Sequence, residues 1–120
     1  MAPPDDPFGL QRFMDAQAPV YARVVAELQR GRKESHWMWF IFPQRAGLGH
    51  STTSVKYAIG SEEEARAYLA HAVLGPRLRE CAALVREALK TRSLADIFGE
   101  VDAMKFRSCM ELFAPLGLET

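Results

Sequence analysis

The residues with the most chemistry to offer gather in one run, Ser35-His36-Trp37-Met38-Trp39-Phe40-Ile41-Phe42-Pro43-Gln44, which holds both tryptophans between polar brackets. An indole has a wide apolar face and one N–H donor, so Trp37 and Trp39 suit stacking on a flat ligand such as a base or a nicotinamide. His36 and Gln44 are placed to aim an imidazole and a carboxamide into one cavity. Six large apolar side chains in succession, Trp37 to Phe42, are too many for one face of a helix or strand. The run is therefore either enclosed as core or lines a pocket, and both readings stand at this point.

Three further sets of residues carry chemical potential. Lys105 and Ser108, with Leu112, fall at i, i+3 and i+7, away from the Phe106 and Cys109 stripe; a lysine and a hydroxyl on one face either hold a phosphate or carboxylate or face solvent. Gln17 sits on the apolar face of the first helix, where a buried amide must be hydrogen-bonded or line a polar pocket. Lys56 and Tyr57 follow a glycine-containing loop. A lysine that lowers a tyrosine pKa serves proton transfer, although adjacent helical residues diverge by about 100°.

The chain contains no GxGxxG, phosphate loop, HExxH or nucleophile elbow, and His36, His50 and His71 lack metal spacing. No cofactor and no metal are expected. The acids of Ser61-Glu62-Glu63-Glu64 read as helix-start charges rather than catalytic carboxylates.

Fifteen basic and fifteen acidic residues in 120 cancel, and 48% hydrophobic content is that of an ordinary globular domain. A duplex binder carries a basic excess on one face, so no nucleic-acid partner is expected. Arg30, Arg32 and Lys33 read as the complement of a helix C-terminus. Cys81 and Cys109 fall on apolar helix faces, the place of inert buried thiols, with a disulfide as the alternative. Neither a signal peptide nor a run of about eighteen apolar residues is present, so a soluble, cytoplasmic protein with no membrane partner is expected.

Periodicity then supplies the elements that must position these groups. Residues 1–7, with three prolines and two aspartates, are expected to be disordered, and 8–120 to form one helical domain. Asp6-Pro7 has the pattern of a cap before a first helix carrying Leu10, Phe13, Met14 and Gln17. Tyr21, Val24, Val25 and Leu28 form the stripe of a second helix ended by Gly31. The aromatic run reads as a buried helical turn or two, Arg45–Thr53 as the one real loop, and Ser54–Ile59 as another turn. Ser61 and Glu64 form a capping box, and Gly75-Pro76 separates that helix from a longer one striped by Leu78, Cys81, Ala82, Val85 and Leu89. Ser93 and Asp96 start a short turn, and Asp102 caps a last helix carrying Phe106, Cys109, Met110 and Phe113. The expected fold is all-α, a compact bundle of about six to seven short helices.

The run Ser35–Gln44, Gly47-Leu48-Gly49, Tyr57-Ala58-Ile59, Glu64–Leu69, Leu74–Leu78 and Lys105–Ser108 with Leu112-Phe113 together resemble a family of small bacterial and fungal proteins of unknown function. That family is sometimes labelled calpastatin-like, a label at odds with a packed domain, since calpastatin inhibits through a disordered chain. The resemblance covers Phe8 to Ala114 and implies an all-α single domain without an assigned activity. Members usually continue past Leu112-Phe113 with a further helix, and its lack is expected to expose core or open a pocket. A looser similarity, in Ile59–Leu69 and Lys105–Phe113, is to helical domains acting on N-glycosidic bonds of ADP-ribose and related nucleotides.

The expected function is binding of a small nucleotide-like or ribose-containing ligand, with hydrolase or N-glycosidase chemistry. Trp37 or Trp39 would stack on it, Lys105 and Ser108 would hold its anionic part, and Gln17, His36 and Gln44 would orient it. The alternative is a noncatalytic interaction module that binds a protein partner or forms a homodimer.

Overall fold

The computed structural model describes residues 5–119. Among them the chain forms eight α-helices, numbered in chain order: α1 Gln11–Gln17, α2 Tyr21–Gln29, α3 Met38–Ile41, α4 Thr52–Lys56, α5 Glu62–Ala70, α6 Leu74–Ala88, α7 Leu94–Phe98 and α8 Glu100–Phe113. A short turn at Ala114–Leu116 follows, and no strand forms among the described residues. The expected all-α domain is thus the fold found. It has eight helices because α3, α4 and α7 each close their own helical hydrogen bonds. The radius of gyration, 13.6 Å, is that of a single domain of this length.

Caps explain most of the boundaries. Ser93 and Asp96 form a reciprocal capping box on α7, with Asp96 N donating to Ser93 Oγ at 3.0 Å and Ser93 N to Asp96 Oδ2 at 3.2 Å. Ser61 Oγ accepts from Glu64 N at 3.1 Å. The Glu64 carboxylate instead accepts from Gly60 N at 3.0 Å and from Arg12 at 2.7 Å, so only half of that box closes. Asp6 serves α1 from upstream, its carboxylate accepting from Leu10 N at 2.8 Å and Gln11 N at 3.0 Å. The expected disorder of residues 1–7 lies in part outside the described residues.

Three boundaries differ from the sequence reading. α4 begins at Thr52, inside the span read as loop and two residues before the expected Ser54, because Ser51 Oγ caps it by accepting from Ser54 N at 3.1 Å. Gly75 and Pro76 lie inside the first turn of α6 rather than between helices, where a proline removes only an N–H without an intrahelical partner. The break falls at His71–Val73, and His71 caps α6, its Nδ1 accepting from Val73 N at 3.1 Å and Leu74 N at 3.2 Å. Gly75 is required there because a Cβ would stand 2.1 Å from the Leu69 carbonyl oxygen. Asp102, expected as the cap of the last helix, lies within its first turn, since α8 already begins at Glu100 behind Gly99 (φ 79°).

α6 packs against α2 and α5, α7 against α8, and α1 against α3. Phe42 is fully buried where these layers meet, with its ring edge-on to Phe98 at 5.9 Å and Phe106 at 5.0 Å. Cys81 and Cys109 are buried free thiols. Burial pushes Cys81 up to about 12, the condition of an inert thiol. Leu89, the last member of the α6 stripe, is exposed instead. After α8 the chain turns back, burying Leu118 and passing the Glu119 carbonyl to Arg86 at 2.9 Å.

Candidate functional site

The aromatic run divides between core and surface. Its single turn, α3, carries Met38 and Ile41 inward, and Trp37 and Phe42 on either side are buried as well. Trp37 is tied by its indole N–H to Glu27 Oε1 at 3.0 Å, which makes it a structural plug. Trp39 and Phe40 remain half-buried. Trp39 is therefore the more open of the two tryptophans, and it lines two hollows.

The first hollow, about 280 Å³, is lined by the run from His36 to Phe40, with Trp37 at its buried edge, by Ser51 and Thr53 from the following segment, and by Lys33, Asp102 and Lys105. Its electrostatics rest on one carboxylate shared by two cations. Lys33 Nζ lies 2.9 Å from Asp102 Oδ2, and Lys105 Nζ lies 3.0 Å from Asp102 Oδ1. Burial alone would raise the Asp102 pKa, but the hydrogen bonds and charges of Lys33 and Lys105 outweigh it and hold the carboxyl below its usual range. With Asp102 ionised, the trio carries a net positive charge. Lys105 Nζ also stands 4.3 Å from the centre of the Trp39 ring, a cation–π contact that fixes ammonium and indole relative to each other. Lys33, whose backbone N–H is pinned to Ile97 O at 2.7 Å, was hidden in sequence among the basic residues ending α2.

The second hollow, about 250 Å³, lies on the loop side of Trp39 and is lined by Gln44, Leu48, Ser54, Val55 and Tyr57 among others. The loop enclosing it is closed at its base, where Ile59 N donates to Gln44 O and Ala46 N to Ile59 O, both at 2.8 Å. Gly49 comes so close that a Cβ would meet Ser54 Cβ at 2.7 Å and Trp39 Cη2 at 3.1 Å. Any side chain there would push the loop off the indole.

The remaining candidates lie elsewhere. Gln17 is buried, its amide donating to Phe40 O at 2.8 Å and Tyr68 Oη at 3.0 Å, which joins α1 to α3 and α5. Lys56 is exposed, with its Nζ 5.3 Å from the Tyr57 ring centre. Tyr57 packs on Phe13 and Phe40 at 5.7 and 5.4 Å. Ser108, one turn beyond Lys105, lines a different hollow of about 470 Å³ with Ser61, Glu111, Leu112 and Leu116. That hollow lies between the end of α8 and the Ile59–Glu62 segment. His36 and Gln44, read as sharing one cavity, line separate hollows that have Trp39 in common.

No curated protein matches the chain. Among solved structures it is similar to the conserved hypothetical protein Rv1873 from Mycobacterium tuberculosis, with 57% identity and a TM-score of 0.89. The match covers 92% of this chain and 78% of that one. Residues 7–119 match the model of a family described as protein of unknown function, DUF1810, and the chain belongs to that family.

Proposed function

We propose that the protein binds a small anionic ligand of the ribose-phosphate or nucleotide type beside Trp39. The supporting observation is the Lys33–Asp102–Lys105 trio. Two ammonium groups share one ionised carboxylate at 2.9 and 3.0 Å in a hollow that also presents the His36 imidazole and the Ser51 and Thr53 hydroxyls. The Lys33 side chain is only 9% exposed, so its charge acts through a partly desolvated path and attracts an anion more strongly than a surface lysine would. Trp39 supplies the flat wall. Trp37 and Gln17 act as structural supports in this reading, and Ser108 plays no part.

The test is a thermal-shift and turnover screen against inorganic phosphate, ribose 5-phosphate, ADP-ribose, NAD and nucleoside monophosphates. It is repeated on Trp39→Ala and Lys105→Met after circular dichroism shows both folded. A ligand at a hundred times its Kd stabilises by about 2.7 kcal/mol, a rise of several degrees in Tm. Such a rise, lost in both variants, is the expected result. Its absence for every compound, or its persistence in both variants, overturns the proposal. A second reading, self-association, draws on Val101 and Met104, which are 69% and 65% exposed one turn apart on α8. A single monomeric species in sedimentation velocity over a wide concentration range would count against it.

A further inference from the structure

Gln44, which lines the second hollow, carries an unspent hydrogen-bond donor. Gln44 is 5% exposed, and its Nε2 has no partner among the described residues. Burying an unpaired amide donor costs about 1–3 kcal/mol, and the local structure offers no relief. The Gln44 backbone is fixed by Ile59, and the nearby Ser54 hydroxyl is engaged with Ser51, donating to Ser51 O at 2.8 Å and accepting from Ser51 Oγ at 3.0 Å. The rest of the wall is mainly apolar, with Trp39, Leu48, Val55 and Tyr57, and Arg45 is its one charged residue. At about 250 Å³ the hollow lies just below the roughly 300–1,000 Å³ of sites for drug-sized ligands. It therefore suits one ring system and not a dinucleotide.

We infer that this hollow is the subsite for an uncharged nitrogen heterocycle of nucleobase type, which presents a carbonyl oxygen or ring nitrogen to Gln44 Nε2. The inference rests on the ribose-phosphate reading of the neighbouring hollow. Trp39 lines both, so a nucleoside monophosphate crossing it would place its phosphate near Lys33 and Lys105 and its base beneath the Gly47–Gly49 loop. Gln44 then sets specificity, because an amide donor in a mainly apolar wall disfavours a ring that offers it no acceptor.

The experiment is isothermal titration of the full chain with inorganic phosphate, ribose 5-phosphate, the four common 5′-nucleoside monophosphates and their uncharged nucleosides. Wild type is compared with Gln44→Met and Gln44→Glu. At least one monophosphate is expected to bind tenfold or more tightly than ribose 5-phosphate. Gln44→Met, of similar volume without the donor, removes that margin, leaves ribose 5-phosphate binding unchanged and raises the Tm of the unliganded protein. Should Gln44→Met fail to fold, Gln44→Glu carries the same test, since it replaces the donor with an acceptor and inverts the base preference. Equal affinity for ribose 5-phosphate and all four monophosphates, or an undiminished margin in the folded variant, overturns the base subsite and leaves the ribose-phosphate reading intact. Gln44-dependent binding of nucleosides with no binding of phosphate or ribose 5-phosphate overturns the ribose-phosphate reading alone. Silence across the panel overturns both.

Discussion

Glu27 is 2% exposed on α2 and holds together the segment that delivers the aromatic run. Its Oε1 accepts from Glu34 N at 2.7 Å, Ser35 N at 3.0 Å and Trp37 Nε1 at 3.0 Å, and its Oε2 accepts from Ser35 Oγ at 2.5 Å. Burial by itself would raise its pKa, but the bonds from Ser35, Glu34 and Trp37 outweigh it and bring the carboxyl to about 2, against 4.5 for a free glutamate. At about 1.36 kcal/mol per pH unit, that gap contributes about 3 kcal/mol to stability. Because the folded pKa is the lower one, the contribution is fully present above the unfolded value near 4.5. It is lost as pH falls from about 5 towards 2, where the unfolded chain takes up the proton first.

Glu27→Gln keeps the shape and an acceptor oxygen but removes the charge. Charge-assisted bonds contribute roughly twice what neutral ones do, so the substitution is expected to cost about 2–3 kcal/mol at pH 7. Urea denaturation of both proteins at half-unit steps from pH 7 to pH 2.5 checks it. The variant should lose this part of the acid dependence, so the stability difference shrinks towards zero near pH 2.5. A difference that stays constant across the range would refute the assignment of the stabilisation to the ionised carboxylate.

Two other substitutions probe the frame around the site. Gly75→Ala, which would gain up to about 1 kcal/mol in an unobstructed helix, should instead cost about 3 kcal/mol or more, because its methyl would meet the Leu69 carbonyl at 2.1 Å and push α6 off α5; thermal unfolding measures it. Arg12→Lys should cost about 2–3 kcal/mol in urea denaturation, since one ammonium cannot reproduce a guanidinium that donates to the carbonyls of Phe8, Gly9, Lys56 and Ala58 and to Glu64.

What the sequence made legible was mainly what is decided between near neighbours. The Ser61 and Ser93 caps, the α2 stripe and the buried face of α8 depend on residues within a turn or two, and they stand where periodicity placed them. Glu27 shows the limit. On a helical wheel it is a polar residue with nothing to mark it as buried, and only the return of Ser35 and Trp37 over α2 encloses it. For the candidate site, the sequence reading named several residues that share a hollow but not how they are arranged. His36, Trp39, Gln44, Tyr57 and Lys105 do line adjoining hollows. They are divided between two hollows, His36 and Lys105 on one and Gln44 and Tyr57 on the other, and the backbone leaves the helical region at Phe42 (φ −118°, ψ 75°), between His36 and Gln44. Lys33 and Asp102 were each given a local task, helix complement and helix cap, and their contact across 69 positions of chain has no signature in spacing.

The pinning of Gln44 and Ala46 to Ile59 separates the length of the loop from the integrity of the bundle. Its two ends are fixed by a pair of backbone hydrogen bonds and by the Arg12 contacts to Lys56 and Ala58, so residues added between Gly47 and Ser51 would lengthen a closed span without moving α3 or α5. Doubling such a span costs only about 0.6 kcal/mol of closure entropy. The chamber beneath it is therefore a part of this molecule whose size can be changed by insertion, making the loop a natural place to widen or narrow what the hollow admits while the helices stay as they are.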